Sequence, residues 1–369
     1  MKTPPSRDEI EISIFGPGIG EAIVIHVGDN EWLIVDSCID RISRNPIAIK
    51  YLKDLNVNIS SSVKFFIVTH WHDDHIRGAS TILRECEGAL FACSGAIGSD
   101  EFSQFCLSGR GALMESSGLE EFNDILEILS SRTDDGRMES RGPQWAIADR
   151  KLLHLPKKGR CFNVEVHALS PSDAAMTLAL REIGQMMPKA GVPKRRVISQ
   201  TPNHAAVALW VIIEDLNILL GSDLENHPPN NLGWKAVLIS QNRPAGRALV
   251  VKVPHHGSSD AYNRDMWNQM VLSDPIALLT PFASGVKPLP SPADMGRIRK
   301  HASRIYCTGR PSGWHPPRRD PSVERTIRET VRTRRLIHGR MGHVRVRFKA
   351  GEGLNNPRIE LFEQAFAVE

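Results

Sequence analysis

A seven-residue stretch decides the fold of this chain: Thr69-His70-Trp71-His72-Asp73-Asp74-His75. It follows the apolar run Val63–Val68, which predicts a buried strand. Two histidines two positions apart can turn both imidazoles to one side of an extended loop and hold one cation, and the aspartate and histidine behind them can reach a second. Because polar groups are costly to gather without a partner, packing alone does not explain this cluster. The stretch therefore predicts a metal site at a strand end.

The patterns on either side of this stretch predict an α/β protein. Apolar or alternating runs predict strands, and Gly-Pro-Gly-Ile-Gly at residues 16–20 predicts a turn between the first two. The region from about residue 95 to 160 is less regular, so we expect an insertion near the site, which either shapes substrate access or is peripheral. The further strands are predicted at residues 10–15, 22–27, 31–35, 162–169, 205–213, 218–220, 249–253 and 342–348, and helices at 45–55 and 119–130.

Composition is typical of a soluble globular protein, with 41% hydrophobic and 24% charged residues. The six cysteines include no C-x-x-C pair, which predicts free thiols in a reducing compartment. The N-terminus lacks the apolar run of a secretion signal. The longest apolar run, Ala205–Ile213, is nine residues, and a membrane span needs about 20. We expect a cytoplasmic protein without membrane insertion.

Charge is distributed unevenly along the chain. The net charge is +4, but residues 297–349 hold 16 Lys and Arg against three acidic residues, or +13, which leaves −9 for the remainder. A basic surface of that strength attracts phosphate-rich partners. We therefore expect nucleic acid or a nucleotide as partner. A solvated helix face, a self-assembly surface or a docking surface for a protein partner remains the alternative for this arginine-rich segment.

The histidine loop resembles the metal-binding motif of the metallo-β-lactamase superfamily, and further motifs follow in that family's order. The last of them is similar to the H-H-G-S ending of the ComEC-type competence-protein branch and of phosphorylcholine esterases. The resemblance covers roughly residues 10–285. The matching segments are Gly18-Ile19-Gly20-Glu21-Ala22, Leu33-Ile34-Val35-Asp36, Gly221-Ser222-Asp223 and Val253-Pro254-His255-His256-Gly257-Ser258.

The resemblance implies a four-layer αββα sandwich. The catalytic domain would cover residues 1–290, with the insertion at about 95–160, and residues 291–369 would form an arginine-rich C-terminal extension packed on the same domain.

The resemblance also implies a centre of two divalent cations, zinc or else manganese or iron. His70, His72 and His204 would hold one ion, Asp74, His75 and His256 the other, and Asp223 would be shared. In the ComEC-type branch the place of His204 is often Asn or another polar residue, so either Asn203 or His204 completes the first site. Asp36 would orient the loop. Glu21, where that branch usually has Asp, would support the site through hydrogen bonds or cap a strand.

His255 and His256 stand at the end of a predicted strand, where successive side chains alternate between the two faces. We therefore expect only one of them to face the metals. Similarity to the esterases assigns the ligand role to His256. His255 is then left to contact a phosphate oxygen or to protonate the leaving group, and Asn203 and Ser258 would contact substrate.

The implied reaction is hydrolysis. Two neighbouring cations lower the pKa of a bridging water from about 15.7 to about 7, which gives a hydroxide nucleophile at neutral pH. The carboxylates of Asp74 and Asp223 favour hard, oxygen-rich substrates. Together with the basic segment and the H-H-G-S ending, they favour phosphodiester cleavage in DNA, RNA or a nucleotide. The alternatives are a thioester, lactone or amide hydrolase and a non-catalytic binding module.

Overall fold

The computed structural model describes residues 3–16, 20–98, 117–134, 143–186, 203–282, 288–310, 320–331 and 341–368. Within these ranges the strands are β1 (Glu9–Gly16), β2 (Ala22–Val27), β3 (Trp32–Val35), β4 (Val63–Val68), β5 (Leu90–Ser94), β6 (Gln144–Ala146), β7 (Lys151–Leu155), β8 (Val164–Ala168), β9 (Leu209–Ile213), β10 (Leu216–Leu220), β11 (Ala248–Lys252), β12 (Val271–Leu279), β13 (Arg304–Cys307), β14 (Gly342–Lys349), β15 (Arg358–Phe362) and β16 (Phe366–Val368).

The helices in the same ranges are α1 (Ile47–Asp54), α2 (Ile59–Ser62), α3 (Asp73–Ile76), α4 (Ala79–Glu85), α5 (Ser117–Asp134), α6 (Asp173–Met186), α7 (Gly233–Ile239), α8 (Arg264–Met270), α9 (Pro292–Ile298) and α10 (Pro321–Thr330). Short 3-10 segments lie at Gly95–Ile97 and Asn203–Ala205, and Pro254–Gly257 forms a kinked turn whose backbone is not helical at His255 and His256. None of the helices in the described ranges is both long and apolar enough to cross a membrane.

The strands form two eight-stranded sheets, ordered β15-β14-β1-β2-β3-β4-β5-β6 and β16-β13-β12-β11-β10-β9-β8-β7. In the first sheet β3, β4, β5 and β6 are parallel, and in the second sheet β10, β11, β12 and β13 are parallel. Carboxyl ends of parallel strands lie side by side, which is where side chains from distant segments can meet.

Three apolar clusters divide the molecule into four layers. One lies between the sheets and includes Ile12 and Ile25 from the first sheet and Val211 and Val250 from the second. The other two lie on the outer sheet faces, beneath α1, α4 and α5 on the first sheet and beneath α7, α8 and α9 on the second. Strands that are covered on both faces are typically continuous apolar runs, as β3 is. The predicted αββα sandwich is confirmed.

The predicted strand at residues 205–213 is shorter in the structure. It begins at Leu209, because Asn203–Ala205 forms a 3-10 turn and the residues between are irregular. Of the predicted turn at residues 16–20, positions 17–19 lie outside the described residues.

The C-terminal segment contributes strands to both sheets. β14 lies between β1 and β15 in the first sheet, and β16 pairs with β13 in the second. Two of its arginines, Arg345 and Arg347, are 1% and 2% exposed and pair with Glu360 and Glu11. The basic surface is therefore smaller than the charge count predicts, because the count includes arginines that are paired with glutamates in the interior.

Arg347 provides a test of this packing. Both of its guanidinium contacts to Glu11 are short, at 2.7 and 2.8 Å, and Glu11 is fully buried. Arg347→Met leaves the buried Glu11 carboxylate without a cation, with only the hydroxyls of Ser13 and Tyr51 donating to it. We therefore expect the unfolding free energy to fall by about 3–5 kcal/mol. The double variant Glu11→Leu/Arg347→Met should recover most of this loss. Urea denaturation measures both, and a single variant within about 0.5 kcal/mol of wild type, as at a surface site, would contradict the assignment.

Candidate metal centre

The histidine loop begins where β4 ends. Thr69 to Trp71 have no regular secondary structure, His72 has extended backbone, and the short helix α3 then starts at Asp73. Two further chain segments reach the same edge: β10 is followed by Asp223, and β11 by the turn that contains His256. Residues far apart in the chain thus meet because their strands end together.

Asp36 anchors the loop from behind. The backbone N–H of Thr69 donates to its Oδ1 (2.7 Å), and the Thr69 hydroxyl donates to Oδ2 (2.8 Å). Nδ1 of His75 donates to the same Oδ2 at 2.7 Å. The adjoining N–H of Ser37 donates to the carbonyl of His75 (2.8 Å). These bonds direct Nε2 of His75 away from Asp36.

Histidine and aspartate atoms converge in front of Asp36. Atoms of Asp74, His75, Asp223 and His256 all lie within 4.8 Å of one another, and those of His70, His72 and Asp74 form a second such group. Asp74 belongs to both. The separations are 3.9 Å from His70 Nε2 to Asp223 Oδ2, 3.5 Å from His75 Nε2 to Asp223 Oδ1, 3.8 Å from His75 Nε2 to Asp74 Oδ2, 3.5 Å from His256 Nε2 to Asp74 Oδ2, and 3.8 Å from His256 Nε2 to Asp223 Oδ2.

These separations suit shared cations. Two donors on one tetrahedral zinc, each bound at about 2.0–2.1 Å, are themselves about 3.3 Å apart. Among the described residues, four buried atoms of the cluster have no hydrogen-bond partner: Nε2 of His70, His75 and His256, and Oδ1 of Asp223. Native proteins leave few such atoms unsatisfied. The donor set therefore fits divalent metal ions.

The opposite nitrogen of three of these imidazoles contacts the protein. Nδ1 of His70 lies 3.0 Å from the hydroxyl of Thr69, and Nδ1 of His256 lies 2.9 Å from the carbonyl of Thr280. Nδ1 of His75 contacts Asp36. Metal-ligating histidines commonly donate their second N–H in this way, which fixes ring orientation.

Burial and neighbouring charges set the protonation of the cluster. Burial, helped by nearby His75 and His72, holds the pKa of His70 well below its ordinary value. Burial opposes ionisation of Asp223, but His75, His256 and His255 outweigh it and hold the pKa of that carboxyl well below its usual range. A neutral imidazole and an ionised carboxylate are the forms that bind metal.

The two consecutive histidines correct our expectation of alternation. His255 and His256 lie in a turn after β11 with left-handed backbone, at φ of 43° and 52°, so they are not strand residues. Both Nε2 atoms lie 3.8 Å from Oδ2 of Asp223. Both rings therefore reach the cluster. Nδ1 of His255 is 2.9 Å from Oε1 of Glu225, a residue that the sequence patterns did not single out.

The remaining predicted residues have different surroundings. The amide nitrogen of Asn203 lies 3.2 Å from Oε1 of Glu225 and 3.5 Å from Nε2 of His255, so Asn203 borders the cluster. The His204 backbone lies in the 3-10 segment, and its side chain lies outside what the structure describes. Ser258 is buried, and its hydroxyl accepts from the N–H of Asp260. That turn contact gives no support to a role in substrate binding.

Glu21 lies behind the cluster with a partner that sequence reasoning missed. Its Oε1 is 2.6 Å from Nζ of Lys252, and the hydroxyl of Thr280 donates to its Oε2. Glu21, Asp36 and His75 form a third group of close ligand-type atoms, but protein donors already contact its carboxylates. Lys252 could have been noticed as the one charged residue in the apolar run of β11.

The described part of the predicted insertion supports the loop from the other side. The carboxylate of Glu121 in α5 accepts from the N–H groups of Gly78 and Ser80, at 2.7 and 3.1 Å, where α4 begins. The N–H of Gly118 donates to Oδ1 of Asp73 (2.8 Å). Helix α5 thus packs on the C-terminal end of the histidine loop. Strand β6 is the edge strand of the first sheet, and β7 is the edge strand of the second.

The strand ends of the two-sheet αββα sandwich thus carry a His/Asp cluster. The chain has a metallo-β-lactamase fold. No protein-family profile and no curated protein sequence matches it. Among solved structures, the metallo-β-lactamase fold protein YhfI from Bacillus subtilis is 10% identical, with 83% of this chain and 98% of that chain covered and a TM-score of 0.39.

A mutant of a metallo-β-lactamase from Cronobacter sakazakii is 14% identical, with 67% of this chain and 77% of that chain covered and a TM-score of 0.34. The four layers and the His/Asp cluster identify the fold.

Gly20 offers a test of how closely the histidine loop, residues 69–75, is packed. Its φ is +101°, and a Cβ there would lie 2.4 Å from the carbonyl oxygen of Asp74. Gly20→Ala should push the loop away and weaken zinc binding at least tenfold, measured by competition with a chromogenic chelator. Gly351→Ala is the matched control, because it has a similar φ of +82° with nothing within 4 Å. Equal zinc affinity in the two variants would refute the close packing.

Proposed function

We propose that this chain is a dinuclear metal-dependent hydrolase that cleaves phosphodiester bonds in nucleic acid or a nucleotide. The observation that carries the proposal is the pair of ligand groups that share Asp74, with Asp223 within 3.9 Å of histidines in both. Two adjoining groups of this kind suit two cations rather than one.

The ligands divide between the ions as follows. His70 and His72, with His204 or Asn203, would hold one ion, and Asp74, His75 and His256 would hold the other, with Asp223 shared. The short distances from Asp223 to His70 and His75 support its shared position. When bound, the two cations would supply an activated water and offset negative charge on the attacked group.

The protein's own groups would orient substrate and move the proton. Nε2 of His255 is the polar atom best placed to protonate the leaving oxygen, because it lies 3.8 Å from Oδ2 of Asp223 at the edge of the cluster, while Nδ1 lies 2.9 Å from Oε1 of Glu225. Burial opposes protonation of His255, but Asp223 and Glu225 outweigh it and raise its pKa. Asn203 would contact a non-bridging oxygen beside His255. Asp74 would orient the attacking water.

The choice of a phosphodiester is supported by three features. The carboxylates of Asp74 and Asp223 suit ions that bind oxygen-rich groups. His255-His256-Gly257-Ser258 resembles the ending of the ComEC-type branch. Exposed basic residues remain in the C-terminal segment after internal pairing, among them Lys300, Arg310, Arg325 and Arg328. The same residues could dock a protein partner.

Hydrolysis of a thioester, lactone or amide is the second candidate. It is favoured by Phe282, whose ring stacks on His256 with centroids 5.2 Å apart and supplies an aromatic surface beside the cluster. Such a surface suits an apolar substrate more than a sugar-phosphate chain.

Metal content and turnover test the hydrolase proposal. Purified protein should hold two equivalents of metal by elemental analysis and cleave a bis-aryl phosphodiester. His72→Ala and Asp74→Ala should abolish turnover, because each removes a side chain of the ligand groups. His154→Ala and Asp54→Ala, both partly exposed and elsewhere in the fold, serve as controls and should retain it. Correctly folded protein that takes up no metal would contradict the proposal.

A substrate panel tests the narrower choice. Single- and double-stranded DNA, RNA, cyclic nucleotides, a thioester and a lactone are incubated with wild type and with Asp223→Ala. We expect cleavage of at least one phosphodiester by wild type and at least a hundredfold less by the variant. If the two proteins differ only on the thioester or lactone, the second candidate replaces the first.

A further inference from the structure

Lys252 is a fully buried cation directly behind the metal centre. Its ammonium Nζ lies 2.6 Å from Oε1 of Glu21, 3.0 Å from the carbonyl of Ser222, and 3.8 Å from Oδ1 of Asp223. Both Lys252 and Glu21 are at most 1% exposed. An ammonium and a carboxylate are costly to bury. The position of this pair behind the metal centre therefore indicates that the pair does more than fill space.

One end of the pair restrains the turn that carries Asp223. Ser222 has left-handed backbone at φ of 45°, which is uncommon for a residue with a side chain. Its carbonyl accepts from Nζ of Lys252 and from the N–H of His255, and its hydroxyl donates to that of Thr69. Lys252 thereby fixes the strained residue next to Asp223.

The other end of the pair leads to His256. The Thr280 hydroxyl donates to Oε2 of Glu21, and the Thr280 carbonyl lies 2.9 Å from Nδ1 of His256. Thr280 follows β12, so the chain of contacts joins segments from four strand ends. Both candidate ligands that come after strands β10 and β11 are reached from one ion pair.

We propose that Glu21 and Lys252 are positioning residues that hold Asp223 and His256 ready for metal. This inference rests on the metal centre of the proposed function. Apolar residues of similar volume often replace a buried ion pair without loss of stability. Stability alone therefore does not require this pair, whereas the placement of two ligands from different strands does.

The test is the double variant Glu21→Leu/Lys252→Met, which removes equal and opposite charges. Zinc affinity is measured by competition with a chromogenic chelator, and ligand geometry by the visible absorption spectrum of the cobalt-substituted protein. We expect zinc to bind about 10–100-fold more weakly, the usual effect of losing groups that orient metal ligands. The cobalt spectrum should change, while circular dichroism and the urea midpoint stay close to wild type.

The chain supplies a matched control in Glu11→Leu/Arg347→Met. It removes a buried pair of a carboxylate and a basic side chain from the first sheet, and among the described residues neither member hydrogen-bonds to a candidate metal ligand. Its zinc affinity should stay within twofold of wild type. Should the Glu21/Lys252 double variant fail to fold, Thr280→Val takes its place, because it removes only the hydroxyl between Glu21 and the His256 segment and should also weaken zinc binding.

The outcomes separate this inference from the proposed function. Folded protein with wild-type zinc affinity and an unchanged cobalt spectrum, in the double variant or in Thr280→Val, overturns the positioning role alone. Wild-type protein that binds no zinc overturns both. Zinc binding that depends on the pair, in a protein that cleaves no phosphodiester, upholds the positioning role and removes the substrate assignment.

Discussion

The candidate metal centre depends on the three hydrogen bonds that Asp36 accepts. They come from the backbone and hydroxyl of Thr69 and from the ring of His75, so one carboxylate fixes both ends of the histidine loop. Burial raises the pKa of Asp36, although His75 and the other donors oppose this. A loop with this many polar side chains would otherwise gain by turning them to water. With Asp36 in place, the imidazoles instead face inward.

The second half of the centre depends on parallel strand pairing. Because β10 and β11 run side by side, the turns that follow them deliver Asp223 and His256 to the same edge. Neither turn is regular: Ser222, His255 and His256 all have positive φ. Such backbone is maintained only where surrounding contacts determine it, which is the usual situation at functional sites. The contacts here are those of Lys252, Thr69 and Thr280.

The four-layer architecture was predicted only through the resemblance to the metallo-β-lactamase superfamily. The sequence itself predicted the histidine loop and the strands before it, because these follow from local periodicity or from residue types close in the chain. It did not predict β12, whose apolar run Val271–Leu279 is interrupted by Ser273, Asp274 and Pro275. It also misjudged the turn at His255 and His256, since nothing local shows that two non-glycine residues adopt left-handed backbone. Arg345 and Arg347 were counted as surface charge for a related reason: their acidic partners lie on neighbouring strands, 15 and 336 positions away, and that pairing is not visible in the local sequence.

Charge pairing explains why only some of the carboxylates are available to cations. Among the described residues, four carboxylates belong to the groups of close ligand-type atoms: Glu21, Asp36, Asp74 and Asp223. Glu21 is neutralised by Lys252, and Asp36 is occupied by three protein donors. Asp223 keeps Oδ1 without a hydrogen-bond partner among the described residues, and Asp74 faces His75 and His256. The protein thus satisfies the two carboxylates that build the frame. It leaves for metal the two that meet the unsatisfied imidazole nitrogens.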